Sequence, residues 1–274
     1  MPGFLYGLFR FPVAEPEKVT ILYTVFSFIF GLVFGSFLNV LIYRLPRSVS
    51  IIRPNSFCPH CRKPIRWYEN IPLLSYVFLG GKCAHCRKPI SWQYPLVELL
   101  TGLAFLFLYH QYGFSLALIF YLVFICSLIV ISGIDFTHQI IPSIISLPGI
   151  LLGLVFQILY GNFWLGLIGA FFGGGLILLI RVLGGWAYKK EVMGMGDVFL
   201  TAMIGAFIAF PRIIIAVFIG AIAGSLFGIV YLLVTKKHRE SPIPFGPFLS
   251  LGGLVMALFG DRVILFLRML GVYI

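Results

Sequence analysis

Eight stretches of this chain are almost purely apolar, and short polar or glycine-rich breaks separate them. They cover residues 19–41, 96–109, 116–134, 143–160, 163–180, 198–210, 213–234 and 245–259. Runs of this length without regular charge read as helices in a bilayer. The one long polar break, residues 43–95, is rich in proline and basic residues and reads as an insertion outside the membrane. The pattern predicts an all-α polytopic membrane protein of about eight transmembrane helices. Residues 96–134 form a hairpin turning at Gln111-Tyr112-Gly113. The tail, 263–274, is too short to cross and is expected at the interface.

Two of these stretches constrain the fold further. Residues 198–210 would cover roughly 20 Å as a helix, less than the hydrocarbon thickness. Either the helix starts near Gly194 or Asp197 sits below the membrane surface. Polar backbone at that depth is tolerated where it lines a cavity, and the glycines of Gly194-Met195-Gly196-Asp197 would allow close packing and positive φ.

Composition agrees: 60% of residues are hydrophobic and the mean hydropathy is +1.04. A soluble secreted product is excluded. Residues 1–20 lack a basic start followed by an apolar core, so no cleavable signal is expected. The net charge of +11 reports topology rather than nucleic-acid binding. Nine of the twenty Lys and Arg residues lie between Arg44 and Lys88, which places that segment in the cytoplasm. Arg181, Lys189-Lys190 and Lys236-Lys237-His238-Arg239 then fall inside, and Arg10, Lys18, Arg212 and Arg262 outside.

The chain has three aspartates. Asp135 ends one apolar run and Asp197 opens another, both at the expected cytoplasmic edge. A carboxylate at the edge of hydrocarbon is costly and marks a functional site. Two close carboxyls share one proton, so the charged one can activate water while the neutral one polarises a carbonyl. That is aspartic-protease chemistry. Either aspartate alone reads slightly better as a helix-end residue, with Asp197 capping the next helix; the two together, on one face of a chain with so few acids, favour the catalytic reading. The third, Asp261, is expected to pair with Arg262.

Cys58-Pro59-His60-Cys61 and Cys83-Ala84-His85-Cys86 are two CxxC pairs separated by 21 residues. Lys63-Pro64-Ile65 after the first is echoed by Lys88-Pro89-Ile90 after the second. Two such knuckles suit one tetrahedral four-thiolate Zn²⁺ site. With no open coordination position the zinc is structural, folding an insertion too small for its own core. His60 and His85 are expected to face solvent, and Cys126 to pack within a span.

Taken in order, these motifs resemble the prepilin peptidase family, the type IV leader peptidases. The likeness runs through Gly35-Ser36-Phe37-Leu38-Asn39-Val40, Tyr43-Arg44-Leu45-Pro46, the first CxxC, Glu69-Asn70-Ile71-Pro72, the second CxxC and Tyr94-Pro95-Leu96-Val97-Glu98-Leu99. It ends with Asp135, Ile141-Pro142 and the Gly194–Asp197 turn. The resemblance implies a bacterial cytoplasmic-membrane enzyme with catalytic Asp135 and Asp197 at the cytoplasmic face. Such an enzyme removes the basic leader of prepilins or pseudopilins and methylates the new N-terminus with S-adenosylmethionine. It implies three parts: 1–42, a cytoplasmic 43–95 associated with methyl transfer, and a peptidase at 96–274. Asn39, Glu69, Asn70 and Glu98 are methyl-transfer candidates by resemblance; they read equally as helix caps and loop hydrogen bonds. Two positions depart from the family pattern. Phe199 stands where Lys is common, removing a cation that would favour charged Asp197, and Ser143 stands where an acid or Asn is common. The competing class is a transporter or ion pathway, since intramembrane carboxylates also mark those. It leaves the cysteine insertion without a reason.

Overall fold

A computed structural model describes residues 17–53, 55–191, 193–235 and 244–271. Among these the protein is helical, and extended pairing is confined to the isolated bridges Phe57–Pro64 and Lys82–Pro89. A helix stands at each of the eight apolar stretches. They are α1 (Glu17–Arg44), α3 (Gln93–Tyr112), α4 (Leu116–His138), α5 (Ser143–Leu159), α6 (Phe163–Tyr188), α7 (Met195–Ile208), α8 (Arg212–Thr235) and α9 (Gly246–Met269). The short α2 (Leu74–Phe78) lies in the insertion. Five helices are long and apolar enough to cross a membrane: α1, α4, α6, α8 and α9. Helices α5 and α7 are apolar but shorter.

Two compact units divide the chain at Leu122 and Val123. In the first, α1 lies along α3. A Cβ on Gly35 would sit 2.7 Å from Glu98 Cα, and one on Gly31 would sit 2.8 Å from Gly102 Cα. Lipid tails are as apolar as leucine, so helices in a bilayer associate through this kind of close backbone approach. The Ser27 hydroxyl adds a 3.0 Å bond to Phe105 O. Along α1 the side chains of Ile21, Leu22, Val25, Phe26, Ile29, Phe30 and Val33 stay exposed, as a lipid-facing row requires. Gly113 ends α3 at φ 56°, at the predicted turn. The expected boundary at 95/96 falls inside this unit.

In the second unit α7 is enclosed by its neighbours. Val198, Leu200, Thr201 and every residue from Met203 to Ile208 are buried. Gly205 and Gly169 bring α7 against α6, where an added Cβ would meet backbone at 2.1 and 2.4 Å. Gly153 admits α7 on the α5 side, with Ala206 Cβ 2.8 Å from the built position. Buried Gln157 reaches across to donate to Phe207 O at 2.6 Å. A helix wrapped by other helices need not match the bilayer thickness. This explains its 14 residues, roughly 21 Å of rise.

Several expectations change. The Gly194–Asp197 turn does not use positive φ: Gly194 has φ −73° and α7 starts at Met195. Asp261 pairs with Arg212 of α8, not with Arg262. On α9 it is one residue from Arg262, and neighbouring positions on a helix do not face each other. Residues 263–269 are the last turns of α9 rather than a separate interfacial segment. The basic cluster 236–239, Arg10 and residues 272–274 lie outside the described residues.

Candidate functional site

Asp135 sits one turn from the end of α4 and is 5% exposed. Its Oδ2 accepts the Gly246 N–H at 2.9 Å. Gly246 opens α9, so the carboxylate meets the positive end of a helix dipole. Asp197 is the third residue of α7 and is 8% exposed. Its Oδ2 accepts the Gly194 N–H at 3.1 Å, so it does cap α7. The cap uses one oxygen. The other, Oδ1, is buried with no hydrogen-bond partner among the described residues. A buried oxygen left this way is costly, and a native structure that keeps one calls for an explanation.

The two carboxyls lie within electrostatic range of each other. Ile141 helps bring them together. A Cβ on Gly196 would lie 2.6 Å from Ile141 Cβ, and one on Gly246 would lie 3.1 Å from Ile141 Cδ1. The side chain therefore sits against the glycines next to both aspartates. Each carboxylate thus accepts an N–H from a helix N-terminus, α9 for Asp135 and α7 for Asp197. Sequence reasoning missed Gly246. Its signal was Pro244-Phe245-Gly246-Pro247, a glycine between prolines at the mouth of a span.

The four cysteines of the insertion converge. The Sγ atoms of Cys58, Cys61, Cys83 and Cys86 lie within 4.8 Å of one another, and those of Cys58 and Cys86 are 3.9 Å apart. A disulfide would need about 2.05 Å, whereas thiolates around one tetrahedral Zn²⁺ stand about 3.8 Å apart. The cluster could hold a metal ion. Its two halves repeat in detail. Cys58 N–H bonds Lys63 O and Arg62 N–H bonds Cys58 O; Cys83 with Lys88 and Arg87 with Cys83 do the same. Arg62 and Arg87 both take φ near 58°. Backbone N–H groups of Cys86 and His85 hold the Cys83 thiol down at about 7, which favours the thiolate a metal needs. For Cys86 the Lys88 N–H lowers the pKa, but burial and the three other sulfurs outweigh it and raise it to about 11. His60 and His85 are exposed, and Cys126 is buried in α4.

The four methyl-transfer candidates take different places in the first unit. Glu69 caps the short helical turn Trp67–Asn70 by accepting the Arg66 N–H at 3.0 Å. Buried Asn39 donates to Tyr94 O at 3.0 Å and Gly35 O at 3.3 Å, and its Oδ1 is left without a partner. Glu98 is buried and accepts the Leu73 N–H at 2.9 Å. Asn70 alone among them lines an open cleft of about 470 Å³. Ser36 and Phe37 of α1 form one wall; Ser56, Trp67, Asn70 and Pro72 of the insertion form the other.

Comparison with known proteins agrees in both units. Residues 29–112 match the model of the bacterial Peptidase A24 N-terminal domain, and residues 122–229 match that of the type IV leader peptidase family. A prepilin leader peptidase/N-methyltransferase of Myxococcus xanthus is 40% identical over 79% of this chain and 65% of its own length. Those of Pseudomonas aeruginosa and Aeromonas hydrophila are 34% and 36% identical, over 86% and 88% of this chain and 90% and 92% of theirs. No solved structure matches. Nothing in these matches supports a transporter. On these grounds the chain belongs to the type IV leader peptidase family.

Proposed function

We propose that this protein is a membrane-embedded aspartic endopeptidase that removes the basic leader of prepilins or pseudopilins and then methylates the new N-terminal amine. The observation that carries the reading is the unpartnered, buried Oδ1 of Asp197 beside Asp135, with Oδ2 of each aspartate held by a helix N-terminus. Two carboxyls so placed share one proton. The ionised carboxyl takes a proton from water, and the water oxygen attacks the scissile carbonyl carbon. The protonated carboxyl donates to the carbonyl oxygen as the tetrahedral centre forms. When that centre collapses the C–N bond breaks, and the leaving nitrogen takes a proton from the dyad.

Charge supports the topology. The basic insertion lies in the cytoplasm by the positive-inside rule; two crossings by α3 and α4 then return the chain to that face at Asp135, and two more by α5 and α6 return it at Asp197, at the inner membrane. A substrate's apolar helix can remain in the bilayer while its polar leader reaches that face. The four thiolates suit structural Zn²⁺, which when bound closes the two knuckles into one unit.

The relatives are named as N-methyltransferases as well as leader peptidases, and S-adenosylmethionine is the methyl donor we assign. The cleft beside Asn70 fits it. Trp67 and Phe37 offer aromatic faces for a purine, and the Asn70 amide offers a donor and an acceptor together. Mass spectrometry of a co-expressed prepilin tests both activities at once. The wild type should yield a shortened N-terminus carrying one methyl group. Asp135→Asn and Asp197→Asn should each leave the leader in place. Given mature peptide, the Asp197→Asn enzyme should still transfer the methyl group. Substantial cleavage by either variant would remove the dyad.

A further inference from the structure

Leu73 has φ 58° and ψ −50°, a region that a residue with a side chain rarely adopts. Across it the Leu74 N–H donates back to Pro72 O at 2.6 Å. This is a γ-turn of the strained, positive-φ kind. Such a backbone persists where the surroundings over-determine it, and it clusters at ligand clamps.

The group that holds it is Glu98. This carboxylate on α3 accepts the Leu73 N–H at 2.9 Å across 25 residues of chain. The Ser36 side chain of α1 lies close to the same carboxylate. Glu98 is buried, 7% exposed, and it does not itself line the cleft. Ser36 belongs to one wall of the cleft, and Pro72, next to Leu73, belongs to the other. Glu98 therefore joins the two walls from behind. Gly35 makes the joint possible, since a side chain there would strike the Glu98 backbone at 2.7 Å.

We propose that Glu98 is a positioning residue for methyl transfer: it sets the width of the cleft by holding the strained Leu73 turn against Ser36, so that Trp67 and Asn70 meet the purine nucleoside of the methyl donor. The inference rests on the reading of this cleft as the methyl-donor site. It assigns Glu98 no contact with the reacting amine. The carboxylate acts through geometry, and whatever else can hold the turn can replace it. The Gln amide carbonyl can accept the same N–H. Glycine at residue 73 adopts the same φ without a side-chain penalty.

The test uses full-length enzyme in nanodiscs, labelled S-adenosylmethionine and mature pilin peptide, with leader cleavage as the control for folding. Trp67→Ala and Asn70→Ala should each weaken donor binding about tenfold, the scale of losing a base-stacking or paired polar contact. Glu98→Ala should weaken it about tenfold, Glu98→Gln should stay within about threefold, and Leu73→Gly should restore most of the binding lost in Glu98→Ala. Normal donor binding by both Trp67→Ala and Asn70→Ala would overturn the cleft reading itself. With that reading intact, normal binding by Glu98→Ala would overturn the positioning role. So would a Glu98→Gln enzyme that binds donor yet transfers no methyl, because the carboxylate would then act on the amine directly. Should Glu98→Ala fail to cleave leader and so fail the folding control, the Gln variant decides alone: retained transfer upholds positioning and lost transfer overturns it.

Discussion

The backbone N–H of Gly246 donates to Asp135 Oδ2 at 2.9 Å, across 111 residues of chain. The contact ties the end of α4 to the start of α9 and aims one carboxylate oxygen. It leaves no room for a side chain, since a Cβ at residue 246 would lie 2.7 Å from that oxygen. Gly246→Ala should therefore lower leader cleavage about a hundredfold, the cost of misplacing a reacting group by roughly 1 Å. The variant should still insert, because the methyl group faces the site and not the lipid. Single-turnover cleavage in nanodiscs measures this, and a rate within about twofold of wild type would show that the contact does not position Asp135.

The two glycines of the second aspartate's turn should behave differently. A Cβ on Gly196 would lie 2.6 Å from Ile141 Cβ and 3.2 Å from Ile141 O. Neither atom is the tip of a flexible chain. At Gly194 the nearest atom is Asp197 Oδ2 at 3.4 Å, and φ is −73°, open to any residue. The N–H that caps Asp197 survives in alanine. Gly196→Ala should thus lose cleavage by about a hundredfold or more, and Gly194→Ala by less than about tenfold. Equal losses would mean that residue 194 approaches something else, such as the substrate backbone.

The aspartates and cysteines were legible in the sequence because each is a costly or reactive residue where the bland alternative is rare. Two carboxylates beside hydrocarbon and a repeated CxxC-Arg-Lys-Pro-Ile stand out without any three-dimensional knowledge. The helices were legible because hydropathy is local, though only five of the eight are long and apolar enough to cross a membrane. Three-dimensional partners were not. Asp135 meets Gly246 across 111 residues, and no local pattern encodes that distance. Asp261 next to Arg262 looked like an ion pair, yet helix geometry turns the two apart and Arg212 takes the carboxylate. Glu98 read only as a methyl-transfer candidate; the turn it meets at Leu73 is a torsion, and a leucine gives no warning of positive φ.

Metal removal should unfold one part of the molecule and spare another. Around the cysteines, cross-chain order rests on a few backbone bonds within each knuckle and on the four sulfurs. The second unit is held by helix packing that needs no metal. Chelator treatment, or Cys83→Ser, should expose residues 43–95 to protease while α5 to α9 stay protected, and metal analysis of the native enzyme should find one Zn²⁺ per chain. Because thiolates bind metal and protons compete for them, affinity should fall as pH drops below the Cys86 value of about 11, and more steeply once it passes the Cys83 value of about 7. An insertion equally resistant with and without metal would contradict a structural role.

Phe199 tests whether the family's lysine near the second aspartate acts by charge. Residues two apart on a helix stand roughly 200° around the axis. Asp197 and Phe199 are both in α7, so a side chain at 199 leaves the helix on the side away from the Asp197 carboxyl. Phe199 is half-buried. A lysine introduced there should leave the pH profile of cleavage within about half a unit of wild type. If instead its ammonium curled round the start of α7 to the free Oδ1, the cation would favour the charged carboxylate, and the acid limb would move to lower pH by about one unit or more. Cleavage rates of Phe199→Lys and Phe199→Met across the acid limb separate the two cases, since methionine matches the length without the charge. An acid shift confined to lysine would place residue 199 in the electrostatics of the dyad. A profile unchanged in both would assign the position to packing or to substrate choice, as the helix geometry requires.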